Sequence, residues 1–230
     1  MNLRSFCAKH RCFRFRLYQG FLSGFTLLEL IVCVAILSIL ASFLLQSVSR
    51  VRELARSVEC VNNLRQLHMA VQSYVNDNEG WFPLANANRP GGATAVGSPW
   101  YSTRVIAQYV GHTRLDSEKG PAQCPSDKQV WTKVYPLTKG ISCAMSEYLG
   151  CEFRIPVNYG YRRADSLKSP AATCMFIDSD RYNIATASPD YAWTFRHQNS
   201  ANVVYCDGHC GKVEKSQIPT NEYDLFWDKP

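Results

Sequence analysis

The sequence predicts an α+β protein: one long N-terminal helix packed on a small antiparallel sheet. Three observations carry this. Residues 25–45, FTLLELIVCVAILSILASFLL, form a run of 21 residues with a single charge. From 46 to 78 neither Gly nor Pro interrupts the chain, and apolar residues recur at steps of three or four. Near the C-terminus, short apolar runs flank Asp207-Gly208, a strong hairpin signal.

Residues 1–24 form a basic leader. Arg4, Lys9, Arg11, Arg14 and Arg16 lie there with no acid, whereas 20 basic residues face 19 acidic ones beyond it. The formal charge of +6 therefore belongs mainly to the leader. No basic face remains for a nucleic acid, and no such partner is expected. With 46% hydrophobic and 19% charged residues the composition is that of a folded chain.

As a helix, residues 25–45 span about 31 Å, which matches a hydrocarbon core of about 30 Å. A secretory signal has a shorter apolar region, roughly 7–15 residues, followed by small residues at its cleavage site. Here the small residue, Gly24, precedes the run. Residues 25–46 are thus expected to be the transmembrane half of the helix, with the leader cytoplasmic and everything after 46 on the far side. Arg50, Arg52 and Arg56 soften that asymmetry without reversing it.

Residues 47–80 read as the amphipathic half. Val51, Leu54, Val58, Val61, Leu64, Leu67, Val71 and Tyr74 form the expected apolar stripe. The NDNEG of 76–80, followed by Pro83, gives a stop. Residues 81–230 form the head that must cover this stripe. Within it 84–99 reads as loop, 101–110 as a short helix and 111–172 as irregular. Strands are expected at 173–178, 191–197, 202–206 and 210–214. No internal repeat occurs.

Ten cysteines suit an oxidising compartment. Seven lie beyond the apolar run: Cys60, Cys124, Cys143, Cys151, Cys174, Cys206 and Cys210. They allow up to three disulfides, with buried free thiols as the alternative. Cys143–Cys151 is the first choice, because a short loop containing Gly150 closes readily. For Cys206 and Cys210, a two-residue turn sets the pair on opposite sheet faces. A three-residue turn including His209 sets them opposite each other.

Gly24-Phe25-Thr26-Leu27-Leu28-Glu29, after a basic leader and before about twenty apolar residues, resembles a type IV prepilin or type II secretion pseudopilin. The resemblance implies that a membrane prepilin peptidase removes 1–24 by cutting between Gly24 and Phe25, then methylates the Phe25 amine. It places Glu29 at the fifth mature position. A charge inside the bilayer costs roughly 2.5–3.5 kcal/mol; Glu29 offsets a neighbouring subunit's Phe25 ammonium and so serves assembly. The implied partners are prepilin peptidase, other pilin or pseudopilin subunits and an inner-membrane assembly platform. The implied location is the bacterial inner membrane, single-pass, with a periplasmic head that reaches a filament or the cell surface after assembly.

His197, nine residues, then Asp207-Gly208 is similar to the H-X9-DG signature of a group of bacterial prepilin-like proteins. CPSD at 124–127, NYGY at 158–161 and the segment between 63 and 83 also fit. Asn199 departs, since glycine is frequent there, and this bears on the turn after His197. A strand between His197 and Asp207 separates them by about 16 Å, too far for a dyad or a shared metal. Both, with Gly208, are expected to be structural. Cys206–Cys210 with His209 lacks a second ligand pair at zinc-finger spacing, and no dense Asp cluster marks a calcium loop. No phosphate loop or G-x-S-x-G elbow occurs. No catalytic residue, metal or cofactor is expected. Trp81, Trp100, Trp131, Trp193 and Trp227 are expected to pack the core, and Arg162-Arg163 to be solvated surface.

The reading that follows is a structural, non-enzymatic subunit of a type IV pilus-like or type II secretion pseudopilus-like filament. Its alternative is a membrane-anchored periplasmic enzyme or binding protein that uses a pilin-like anchor. Convergent acids, His and Cys clustered in the head favour the alternative; scattered ones favour the subunit.

Overall fold

The computed structural model describes residues 24–85, 100–102, 105–112, 115, 120–128, 140–150, 162–179, 184–185, 194–221 and 223–228. One helix, α1, runs Leu27–Asp77 over 51 residues. It begins in a capping box. The Thr26 N–H and hydroxyl both donate to Glu29 Oε2 at 2.8 Å, and the Glu29 N–H returns to the Thr26 hydroxyl at 3.3 Å. It ends where sequence punctuation places a stop. Glu79 and Gly80 take positive φ, and the Gly80 N–H closes on the Val75 carbonyl at 2.9 Å, the 6→1 bond of a Schellman cap. The first part of α1 is long and apolar enough to cross a membrane, and its apolar side chains are exposed.

Within 47–228, α1 buries one face: Ser57, Cys60, Leu64, Leu67, Val71 and Val75. This agrees with the lower part of the expected stripe and departs from the upper part. Val51, Leu54 and Val58 are 64%, 54% and 54% exposed. The buried line runs instead through Ser57 and Cys60, because polar partners lie opposite that part of the helix.

Four antiparallel strands form the sheet: β1 Cys143–Ser146, β2 Cys174–Asp178, β4 Ser200–Tyr205 and β5 Cys210–Glu214. A two-residue β3, Ile184–Ala185, pairs parallel with β1, giving the order β3-β1-β2-β4-β5. The central strands are buried on both faces, so they read as short apolar runs with no clean alternation. One face packs Met145, Met175, Phe176 and Val204 against Leu64, Leu67 and Val71 of α1, with Trp100 and Phe82. The other packs Ala144, Ile177, Val203 and Val213 against Ile218, Phe226 and Trp227. A bulge between Cys174 and Phe176 turns Met175 and Phe176 to the same face.

Several expectations need correction. The helix expected at 101–110 is a single 3-10 turn, Ala107–Val110, closed by Gly111 at φ +71°; it has no side-chain cap. β1 lies in the stretch expected to be irregular, since CAMS is too short to show a period. Of the strand expected at 191–197, residues 194–196 are not strand, and 191–193 lie outside the described residues. Instead His197 and Ser200 exchange both backbone bonds at 3.1 Å around Gln198 and Asn199, whose φ angles are +56° and +62°. Two consecutive positive φ values mark a type I′ hairpin turn.

The β4–β5 hairpin has a three-residue turn, Cys206-Asp207-Gly208, and neither of the two geometries expected for it. Tyr205 closes on His209, and Val204 pairs with Cys210. Cys206 and Cys210 are therefore not opposite each other. Arg162 is buried, contrary to expectation. Its guanidinium meets the Asp228 carboxylate at 3.0 Å and also donates to the Asp228 carbonyl. Arg163 is exposed and lies over Trp81. Trp100 and Trp227 are fully buried; Trp131 and Trp193 lie outside the described residues.

Candidate metal centre

Four distant parts of the chain converge on one buried point. Cys60 comes from the buried face of α1. Cys124 comes from the loop 120–128, which is tied down on two sides: Asn63 of α1 donates to the Gln123 carbonyl at 2.9 Å, and the Ser142 N–H to the Ala122 carbonyl at 2.7 Å. Asp178 ends β2. His197 precedes β4, where the type I′ turn aims it inward.

Cys60, Cys124, Asp178 and His197 are all buried, and one ligand atom from each lies within 4.8 Å of all the others. Cys60 Sγ donates to Asp178 Oδ1 at 3.3 Å; Cys124 Sγ meets His197 Nε2 at 3.2 Å; His197 Nε2 lies 3.7 Å from Asp178 Oδ2. The other imidazole nitrogen, Nδ1, faces Glu53 Oε1 at 3.2 Å, and Ser126 Oγ donates to that same oxygen at 2.8 Å. The Asn202 N–H donates to Asp178 Oδ2 at 2.8 Å. Nearby, Arg196 pairs with Asp127 at 3.6 Å.

These groups perturb one another. Interaction with the neighbouring Cys60 thiol, helped by His197 and the Arg196 charge, pulls Cys124 down to about 4, while the same interaction, burial and the Asp178 charge push Cys60 upward. Burial, then the Cys124 charge, raises Asp178 to about 6 against the pull of Arg196. Burial lowers the His197 imidazole, but its contacts with Cys124, Asp178 and Glu53 outweigh this and raise it.

Two kinds of chemistry are open to such a set. Two sulfurs, one imidazole and one carboxylate are a complete tetrahedral donor set for a borderline-soft divalent ion. Cys124, His197 and Glu53 also stand in the order nucleophile, base, orienter of a cysteine hydrolase. A groove of about 560 Å³ runs alongside, with Cys124, Glu59, His112 and Asp127 in its walls.

The other residues singled out in the sequence lie elsewhere. Gly24 has no atom within 4 Å of a Cβ placed there, and Phe25 is 80% exposed. Glu29 sits in the first turn of α1. Asp207 and Gly208 lie at the opposite end of β4 from His197. There the Asp207 carboxylate accepts from the His209 N–H at 3.0 Å and contacts its ring at 2.7 Å. Gly208, at φ +93°, lies where a Cβ would come 2.8 Å from His68 Cε1. His68 Nε2 is 3.2 Å from the Cys206 carbonyl, and Gln72 donates to it at 3.3 Å, so the turn docks on α1. Cys143 is buried, its thiol aimed at the Ala122 carbonyl; Cys151 lies outside the described residues. No disulfide joins two of the described cysteines.

Residues 23–45 match the model of the prokaryotic N-terminal methylation motif. By its N-terminus the chain is prepilin-like. Residues 49–128 match a second family model, described as a protein of unknown function, DUF1559. This prepilin-like protein matches no curated protein and no solved structure. The motif implies processing by prepilin peptidase and pilin-type assembly, and with the long apolar helix it indicates membrane anchoring.

The sequence expectation of no metal rested on local spacing around His197. Positions 60, 124, 178 and 197 share no short motif. Cys124 in CPSD and His197 in H-X9-DG were each conspicuous in the sequence, but nothing there joined them to each other or to Cys60 and Asp178.

Proposed function

We propose that the protein is a structural, non-enzymatic subunit of a pilus-like or pseudopilus-like filament. In this reading 1–24 is the cleaved leader, 25–46 the transmembrane segment, 47–80 the continuing helix and 81–230 a periplasmic head. The observation that carries it is the Gly24-Phe25 junction. It precedes the first turn of an apolar helix, and Phe25 is exposed and stands four residues before Glu29. Mature protein is expected to begin at methylated Phe25, and mass spectrometry of the native N-terminus checks this. A chain that still starts at Met1 in a host with active prepilin peptidase refutes it. Gly24→Leu should block cleavage and leave the leader attached. Subunits then join through their N-terminal helices at an inner-membrane platform.

A membrane-anchored enzyme is the second reading, and one observation favours it: the convergent Cys, His and acid in the head. Burial argues against it. Cys124 is 4% exposed, and Cys60 and Asp178 crowd the space an acyl group would need.

A further inference from the structure

We propose that Cys60, Cys124, Asp178 and His197 bind one zinc ion as a closed structural centre. The inference is independent of the filament reading, which is decided at the N-terminus.

The distances fit the ion. Zinc bonds of about 2.3 Å to sulfur and about 2.0–2.1 Å to nitrogen or oxygen give a tetrahedron with edges of roughly 3.3–3.8 Å. Two contacts lie near this range, Cys60 Sγ–Asp178 Oδ1 at 3.3 Å and Cys124 Sγ–His197 Nε2 at 3.2 Å. One ligand atom from each of the four residues lies within 4.8 Å of all the others, a spread that closes by a few tenths of an ångström to about one ångström around the ion. The donor set selects the metal. Two thiolates and an imidazole suit zinc, whereas calcium takes six to eight oxygens and magnesium an oxygen octahedron. All four positions come from the protein and all four residues are buried, so no vertex is left open for water or substrate.

A second and independent feature belongs to metal-bound histidines. His197 turns Nε2 to the centre and Nδ1 to the Glu53 carboxylate, which is itself held by Ser126. Such an outer carboxylate fixes the tautomer and the ring orientation. In the bound state both sulfurs are thiolates and the imidazole is neutral, so binding releases whatever protons Cys60, Cys124 and the His197 Nε2 carry beforehand. The bound unit of Zn²⁺, two thiolates, one carboxylate and neutral imidazole carries one net negative charge, with the Arg196 guanidinium nearby.

The hydrolase arrangement explains less. A Cys–His–Glu triad has no use for Cys60 beside its nucleophile, or for Asp178 at the nitrogen that must take the nucleophile's proton. A zinc ion uses both. It ties α1, the loop 120–128, the end of β2 and the start of β4 at one point.

The test uses the full-length chain in detergent. Elemental analysis is expected to give about one zinc per chain. Cobalt substitution should yield the visible bands of tetrahedral Co²⁺ with thiolate-to-metal charge transfer. Cys124→Ser and His197→Ala should lose the metal, and Cys210→Ser, outside the set, should keep it. Glu53→Gln should bind zinc about 10- to 100-fold more weakly. Should the substituted chains fail to fold, the wild-type stoichiometry and cobalt spectrum still decide. The proposal is overturned if wild type, incubated with excess zinc, takes up none at this site. It is equally overturned if Cys60 and Cys124 are recovered as a disulfide-linked peptide, or if Cys124 is alkylated rapidly in zinc-treated protein, as a nucleophilic cysteine would be.

Discussion

Gln198 holds a left-handed backbone that costs an ordinary residue about 1–2 kcal/mol, while Asn199 beside it tolerates the same conformation better. The turn they make is what directs His197 into the buried cluster. Replacing the pair by Asn-Gly, through Gln198→Asn with Asn199→Gly, should raise stability by about 1 kcal/mol, read by denaturant unfolding through the buried Trp100 and Trp227. A lower midpoint would mean the turn is not type I′. At the other end of β4, Gly208→Ala should cost about 1–3 kcal/mol, because it combines positive φ with a close approach to His68. Adding His68→Ala should recover the steric share only. Arg162→Met leaves the buried Asp228 carboxylate without its closest cation and should cost about 3–5 kcal/mol, with Arg162→Met/Asp228→Leu costing less. Legibility differed sharply between these residues. Asp207-Gly208 announces a turn by its chemistry; a turn after His197 was expected too, but Gln198-Asn199 gives no sign of its two-residue type I′ form, and a strand was expected to run up to His197. Arg162 looked like surface because its partner lies 66 residues away.

Along α1 the periodic pattern located the helix and its stop but misjudged one end of its buried face. Leu64 and Leu67 touch the sheet core, and truncating either to Ala should cost about 2–5 kcal/mol in unfolding experiments. Val51→Ser, Leu54→Ser or Val58→Ser should change stability by no more than about 0.5 kcal/mol, since these side chains are exposed. In the filament reading the same three substitutions reduce incorporation, because they remove apolar surface from the helix that joins subunits. Incorporation equal to wild type would remove these positions from the assembly face. The upper stripe was misread because a period of three or four residues identifies apolar lines without saying what faces them. Here a polar cluster faces Ser57 and Cys60. β2 and β4 were legible from their β-branched and aromatic residues, and β5 from the Asp207-Gly208 hairpin signal before it. β1 was not, because four residues between turns carry no period and its partners Phe176–Asp178 lie 31 to 35 residues further along the chain.

At the scale of the whole molecule, the anchor could be read from local sequence and the buried cluster could not. Gly24 to Glu29 are contiguous and their spacing carries their meaning. Cys60, Cys124, Asp178 and His197 acquire theirs only after α1, the loop and both strands have met. Glu29 makes the capping box and in the proposed filament also supplies a charge, two tasks that one pair of variants separates. Glu29→Gln preserves the cap, since glutamine serves equally at that position, while Glu29→Val removes cap and charge together. If charge drives assembly, both variants insert in the membrane and both fail to enter filaments. Normal incorporation of the glutamine variant would assign Glu29 to capping alone.

The capping box also sets a direction. Both of its contacts from Thr26 fall on Oε2 of Glu29, so among the described residues Oε1 keeps its lone pairs unspent. A carboxylate engaged on one oxygen presents only the other to an arriving ammonium. In the proposed filament, the amine of the next subunit meets an acceptor that the first turn of the helix already holds by its other oxygen. In that filament the pairing of one chain's amine with the next chain's free carboxylate oxygen contributes to the stagger between neighbouring subunits.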